Sequence, residues 1–162
     1  NSQRRDQALG SKIRIVFGRD NAKYARTMPD HAPDFELTAD VRDYECDLQG
    51  VVNNAVYQNY LEHARHKYLQ NLGLSFAAFH RQGHDLVLTR AEIDYKAPLQ
   101  SGDRYTVKLR IEKESRLRFR FVQDIYKEDG THVLHGRLIG TCINRDGHRG
   151  FPPEIEALLD QR

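Results

Sequence analysis

Between Phe35 and Leu159 the hydrophobic period of the chain changes more than once, and each change predicts a different element. Phe35, Leu37, Ala39 and Val41 alternate with polar residues, the two-residue period of a strand with one buried face. From Tyr57 the large or apolar residues fall three or four apart, at Tyr57, Tyr60, Leu61, Ala64, Tyr68 and Leu72, a spacing that lines one face of a helix. Glu62, His63, Arg65, His66, Lys67 and Gln70 fall elsewhere on the wheel, as a half-solvated helix requires. Asn53 or Asn54 can cap the start through a side-chain oxygen and Gly73 ends the run, which predicts a helix from about Asn54 to Leu72. Ser75 caps a short second helix through about Arg81, closed by Gly83.

After Gly83 alternation returns. Leu86 to Thr89, with Ile93 and Tyr95, make a long strand that stops at Ala97-Pro98, because Pro98 has no N–H for a ladder. Ser101-Gly102-Asp103 is a turn signature. Tyr105, Val107, Leu109 and Ile111 alternate cleanly as a third strand. Leu117, Phe119 and Phe121, with Arg118 and Arg120 on the other face, begin a fourth strand running to Tyr126. Asp129-Gly130 is a tight-hairpin dipeptide. A fifth strand runs from His132 to Ile143, where Gly136 and Gly140 predict bulges or close packing. Pro153 opens a terminal helix to Leu159. The order is strand, long helix, then a meander of four antiparallel strands, which predicts an α+β domain whose helix and sheet bury each other. Residues 1–34 read as a basic arm ahead of a domain over 35–162; the arm carries Arg4, Arg5, Lys12, Arg14 and a short β-like run from Ile13 to Phe17.

Composition narrows the function classes. The 162 residues fit one domain with a real core, and 25 basic against 23 acidic side chains leave a net charge of +2. That balance gives no general case for nucleic-acid binding, although the basic arm keeps it as a competing reading. Cys46 and Cys142 are too few and too far apart for a disulfide framework or a zinc site, which predicts a reduced intracellular setting. No apolar run approaches the ~18 residues of a membrane span, and no signal-peptide core is visible.

The candidate chemistry gathers at the start of the long helix. Asp47 lies a few residues before a helix N-terminus whose free amides carry partial positive charge. A carboxylate beside such donors is the minimum equipment for attack on a carbonyl. Asp43, Glu45 and Asp47 stand at alternate positions, which places them on one side of an extended segment. Asp43 and Glu45 read as solvated loop acids or as a helix cap. His63 and His66 have a metal-compatible spacing but no further ligands around them, so no metal or cofactor is assigned.

The string D-x-x-G-V-V-N-N-x-x-Y-x-x-Y-x-E-x-x-R, here Asp47, Gly50, Val51, Val52, Asn53, Asn54, Tyr57, Tyr60, Glu62 and Arg65, resembles the hotdog-fold thioesterases of the 4-hydroxybenzoyl-CoA thioesterase type. With V-R-D-Y-E-x-D at Val41 to Asp47 and A-P-L-x-S-G at Ala97 to Gly102, it is most similar to the plant and bacterial acyl-lipid, or acyl-ACP, thioesterases. The resemblance covers roughly residues 35–145. It implies an antiparallel sheet of about five strands wrapped around the long helix. It also implies a homodimer with a continuous sheet and sites at the interface, often doubled into a tetramer, and a substrate that is an acyl-CoA or acyl carrier protein thioester. The family's acidic residue falls on Asp47 and its oxyanion donors on the backbone near Asn53 to Ala55. Relatives with a histidine after the glycine have Val51 here instead, so no histidine role transfers.

These expectations stand beside plainer ones. Asp47 would deprotonate water or attack the carbonyl itself. Asn53 and Asn54 would position water or carbonyl, or simply cap. Glu62 would face the partner's pocket, or make a surface ion pair with His66 or Lys67, and Arg65 reads as a solvated or inter-subunit salt-bridge residue ahead of a substrate contact. Tyr57, Tyr60 and Tyr68 read first as core, with Tyr57 also a candidate substrate contact. Arg116, Arg118 and Arg120, alternating on the fourth strand, together with Arg90, are candidates for CoA phosphates or an acidic carrier protein, against a solvated strand face. A hydratase or dehydratase and a non-catalytic acyl-thioester-binding module remain alternatives; the first usually pairs a histidine with its acid, and none lies between Asp43 and Asn54.

Overall fold

The computed structural model describes residues 32–161. The expected basic arm, with its β-like run, falls almost wholly outside them. Five strands and three helices follow in order: β1 (Phe35–Asp40), α1 (Asn54–Asn71), α2 (Phe76–Arg81), β2 (His84–Tyr95), β3 (Arg104–Ser115), β4 (Arg118–Lys127), β5 (His132–Asn144) and α3 (Pro153–Asp160). The alternating segments form strands, and the three-and-four spacing forms α1. The caps act as their chemistry predicts. Asn53 Oδ1 accepts from the Ala55 N–H at 3.0 Å, and Ser75 Oγ from the Ala78 N–H at 3.0 Å. At the far end of α1, Gly73 takes φ +74°, and the Leu74 and Gly73 N–H groups return to the carbonyls of Leu69 and Gln70. That paired closure is a Schellman motif, which needs the left-handed residue that glycine supplies.

The strand order in the sheet is β1-β3-β4-β5-β2, all antiparallel. This corrects the expected four-strand meander: β3, β4 and β5 follow one another, but β2 lies beyond β5 at the opposite edge from β3. Alternation encodes which face a strand buries, not which neighbour it takes. The connection after β2 crosses the end of the sheet beneath α1, where Leu99 is fully buried. There the Leu99 N–H donates to the Tyr57 hydroxyl at 2.9 Å, and the Leu99 carbonyl accepts from the Val52 N–H at 2.8 Å.

One face of the sheet packs on α1. Leu61, Ala64, Tyr68 and Leu69 of the helix meet Val107, Leu109, Ile111, Phe121, Ile125 and Leu134 of the strands, all buried. Each fully buried leucine contributes about 1.5–3 kcal/mol, so this layer dominates the fold. Tyr57, Tyr60 and Tyr68 are core, as expected. Leu72 is exposed, whereas Arg65 turns inward and is only 6% exposed, a correction to its reading as solvated. Gly140 on β5 sits against the Phe119 ring on β4 and also pairs with Leu88 at the Leu88/Arg90 register shift, so close packing and a bulge meet there; the other shifts of the sheet fall at Lys113/Ser115 and Ile125/Tyr126.

Candidate active site

The segment from Asp43 to Asn53 is not extended throughout. Asp43–Glu45 form a single 3-10 turn, so the three acids do not share a side. The Asp43 carboxylate accepts from the Ser101 hydroxyl. Glu45 Oε2 accepts from the Arg42 N–H at 2.8 Å and from the Tyr60 hydroxyl at 2.6 Å. Both are therefore structural, and neither is simply a solvated acid.

Asp47 is exposed, and among the described residues no side chain engages its carboxylate. Its backbone closes a turn: the Asp47 N–H donates to the Val51 carbonyl and the Gly50 N–H to the Asp47 carbonyl, each at 2.9 Å. Gly50 takes φ +76°, a left-handed position that favours glycine. The Asp47 carboxylate Oδ1 accepts from the Gln49 N–H at 2.8 Å. Short bridges Cys46–Val52 and Val51–Gln100 lash both legs of this loop together and to the chain that follows β2.

The first-turn amides of α1 are then accounted for one by one. The Asn53 N–H donates to the Glu45 carbonyl at 3.0 Å, Ala55 to the Asn53 side chain, and Val56 to the Asn53 carbonyl at 2.9 Å. Among the described residues the Asn54 N–H has no such partner, and it opens the positive end of the helix. Of the expected backbone donors, those of Asn53 and Ala55 are already engaged.

Asp47, Asn53, Asn54 and Tyr57 line one cleft of about 200 Å³ together with Val52, Tyr95 and Pro98. The Tyr57 hydroxyl accepts from Leu99, which leaves its own proton to donate, and the Tyr95 ring packs edge-on against it at 5.5 Å. The Tyr95 hydroxyl reaches the Asn54 carbonyl at 3.4 Å. Burial pushes both phenols upward, against the opposing bond from Leu99 at Tyr57, so both stay protonated. Sequence reasoning missed Tyr95 and Pro98. They appear only as the end of a strand, and nothing local says that this end meets the start of α1.

The remaining candidates lie elsewhere. Glu62 is exposed, 3.7 Å from His66 Nε2, and lines a different cavity with Arg65. Arg116 sits in the turn between β3 and β4, not on the strand, and Arg118 is exposed at the start of β4. Arg120 is neutralised by Glu112 and Glu114, each at 2.6 Å, and Arg90 by Glu92 at 2.5 Å. None of these arginines lines the Asp47 cleft. Among the described residues no group of three or more metal-ligating side chains converges, and no helix is long and apolar enough to cross a membrane.

A model of the Thioesterase-like superfamily matches residues 41–161. The acyl-acyl carrier protein thioesterase ATL3, chloroplastic, of Arabidopsis thaliana is 42% identical over 92 residues, 57% of this chain and 48% of that protein. The chain thus spans about half the length of the curated plant relatives it matches. A 1,4-dihydroxy-2-naphthoyl-CoA thioesterase from Synechocystis superposes with a TM-score of 0.72 at 25% identity, over 76% of this chain and 92% of that one. A DHNA-CoA thioesterase from Staphylococcus aureus gives 0.69 at 29% identity, over 76% and 87%. The helix wrapped by a five-stranded antiparallel sheet is the hotdog fold of these neighbours, and the chain belongs to the Thioesterase-like superfamily.

Proposed function

We propose that the protein hydrolyses acyl thioesters, carried on coenzyme A or on acyl carrier protein, to the free acid. The observation that carries this reading is the meeting, in one cleft, of the Asp47 carboxylate and the start of α1, where the Asn54 amide is uncommitted. The thioester carbonyl oxygen lies against the Asn54 N–H, where the helix dipole favours the charge that develops on attack. Asp47 supplies the base for a water or attacks directly, and the thiolate leaves. Asn53 holds the first turn in place, and the Tyr57 hydroxyl is a second donor toward the substrate.

The names of the neighbours support both carriers: the plant relative is named for acyl carrier protein, the two solved structures for CoA esters. β2 forms one edge of the sheet and exposes Leu88, which supports pairing of two protomers along that edge, and a pair of such dimers as a tetramer. A bacterial cytoplasm or a plastid stroma is the setting this reading assigns.

The test is free-thiol release from a panel of acyl-CoA and acyl-carrier-protein substrates by the native protein and by Asp47→Asn. A fall of about 100-fold or more with the fold intact is expected, as for loss of a catalytic group. Full activity in Asp47→Asn removes the assigned site. No thiol release from any substrate by the native protein removes the hydrolase and leaves an acyl-thioester-binding module.

A further inference from the structure

A second cavity, of about 470 Å³, lies farther along α1 than the Asp47 cleft. Asn54 lines the cleft, and Gln58 and Glu62, one and two turns farther along the same helix face, line the cavity. The volume lies within the range of small-molecule sites. Most of the wall is apolar, with Phe119, Phe121, Leu138 and Leu88 contributed by three strands. Set into that wall is Arg65, 94% buried by its 6% exposure.

Arg65 is held in a fixed orientation. Its Nη1 donates to Gln123 Oε1 at 2.9 Å, and Gln123 Nε2 donates in turn to the Leu61 carbonyl at 2.9 Å. The guanidinium lies 5.9 Å from the centre of the Phe121 ring. Its partner is thus a neutral amide, and among the described residues no carboxylate makes an ion pair with it. Glu62, at the exposed rim, supplies only a longer-range attraction. Burial pulls Arg65 down to about 10, which still leaves it charged at neutral pH. A buried cation with unused donors is costly unless acceptors meet it. The planar fork of a guanidinium is suited to oxygen.

We propose that this cavity receives the acyl group of the thioester, and that Arg65 selects acyl groups bearing an oxygen acceptor (hydroxyl, oxo or carboxylate) remote from the thioester carbonyl. The proposal rests on the thioesterase reading of the Asp47 cleft. From Asn54 to Arg65 is eleven residues, about 16 Å of helix. A helical side chain leans back toward the N-terminus, so the acceptor sits on the order of 10 Å from the carbonyl. A medium-length chain or a fused ring system spans that distance, and an acetyl group does not.

The experiment compares kcat/KM for decanoyl-CoA, 10-hydroxydecanoyl-CoA and 9-carboxynonanoyl-CoA with the native protein, Arg65→Met, and Arg65→Met combined with Gln123→Leu. The double variant removes the amide that the single one would orphan. The native protein is expected to prefer at least one oxygenated substrate by roughly tenfold, and both variants to bring the ratio to about one. The two oxygenated substrates separate a neutral acceptor from a charged one. A native ratio near one, or a ratio unchanged by Arg65→Met, overturns the proposal.

If the native protein cleaves none of the three, the carrier-protein esters of the same acids are compared next. If those too are left intact, the thioesterase reading fails instead, and calorimetric binding of the CoA ligands decides: affinity for the oxygenated ones must exceed that for decanoyl-CoA and must depend on Arg65. Should both variants unfold, the Arg65 Nε–H resonance of the native protein decides. It is expected to move with the preferred oxygenated ligand and not with decanoyl-CoA, and equal movement with both overturns the assignment.

Discussion

The Tyr60 hydroxyl donates a 2.6 Å hydrogen bond to Glu45 Oε2, and through it the second turn of α1 grips the base of the loop that carries Asp47. Tyr60 is itself fixed by stacking on Tyr105, with ring centres 4.5 Å apart. Desolvation, reinforced by the bond to Glu45, pushes the Tyr60 phenol well above its ordinary value, so it stays a donor across the working range. Stability linked to a raised phenol is present in full below its unfolded pKa, near 10, and is lost as pH rises beyond it. Tyr60→Phe should cost roughly 1.5–3 kcal/mol, the range for a bond to a charged group, and should flatten the alkaline limb of the stability curve. It should also lower kcat more than it changes KM, since Asp47 loses its anchorage but not its cleft. Denaturant melts from pH 7 to 11 with steady-state kinetics check this; an unchanged kcat would remove the positioning role.

Asp124 presents a different test. It lies fully buried on the sheet face away from α1, and its Oδ1 is 2.8 Å from both His132 Nε2 and His135 Nδ1. Burial alone raises its carboxyl, but the two histidine bonds outweigh it and hold the group below the usual carboxylate range. A depressed carboxyl adds stability that is present above the unfolded pKa, about 3.9, and lost as pH falls through the lower folded value. Asp124→Asn should therefore lose about 1–3 kcal/mol near pH 7, and the gap to the native protein should shrink on acidification. Urea unfolding at pH 7 and at pH 3 measures it. Equal gaps at both would mean that the charge is irrelevant.

Gly140 should tolerate no side chain. A Cβ there would collide with the Phe119 ring and lie 2.7 Å from the Val87 carbonyl, a backbone atom that cannot swing aside. Gly140→Ala is expected to lose about 1–3 kcal/mol by overpacking, visible as a lowered thermal midpoint, whereas Gly147→Ala, at a turn with nothing near its Cβ, probes only the strain of φ +78°. A Gly140→Ala protein as stable as the native one would contradict the close approach.

The sequence is most legible where the code is local. Asn53, Gly73 and Ser75 act within a few residues of themselves, and the ends of α1 and α2 follow from their side chains and backbone freedom. The alternating strands are legible for the same reason. The neighbour of β2 is not, because period two reports a face and the pairing partner β5 lies across the β3–β4 hairpin. Arg65 fails for a related reason. On a wheel a charged residue is assigned to water by default, and its partner Gln123, 58 positions away, has no local signature. Asp47 stands in a local motif, but the commitment of Asp43 and Glu45 to structural bonds depends on Ser101 and Tyr60, which the chain brings near only after folding.

The bridges Cys46–Val52 and Val51–Gln100 tie the Asp47 loop to itself and to the segment that follows β2, whose Leu99 is buried against α1. A loop pinned at both legs cannot wander while that buried anchor holds, so little conformational freedom remains to be surrendered on binding. Loop geometry of this kind is inherited from the cooperative unfolding unit: Asp47 should keep its place until the domain itself begins to melt, and on the proposed reading thiol release and fold should then fail together.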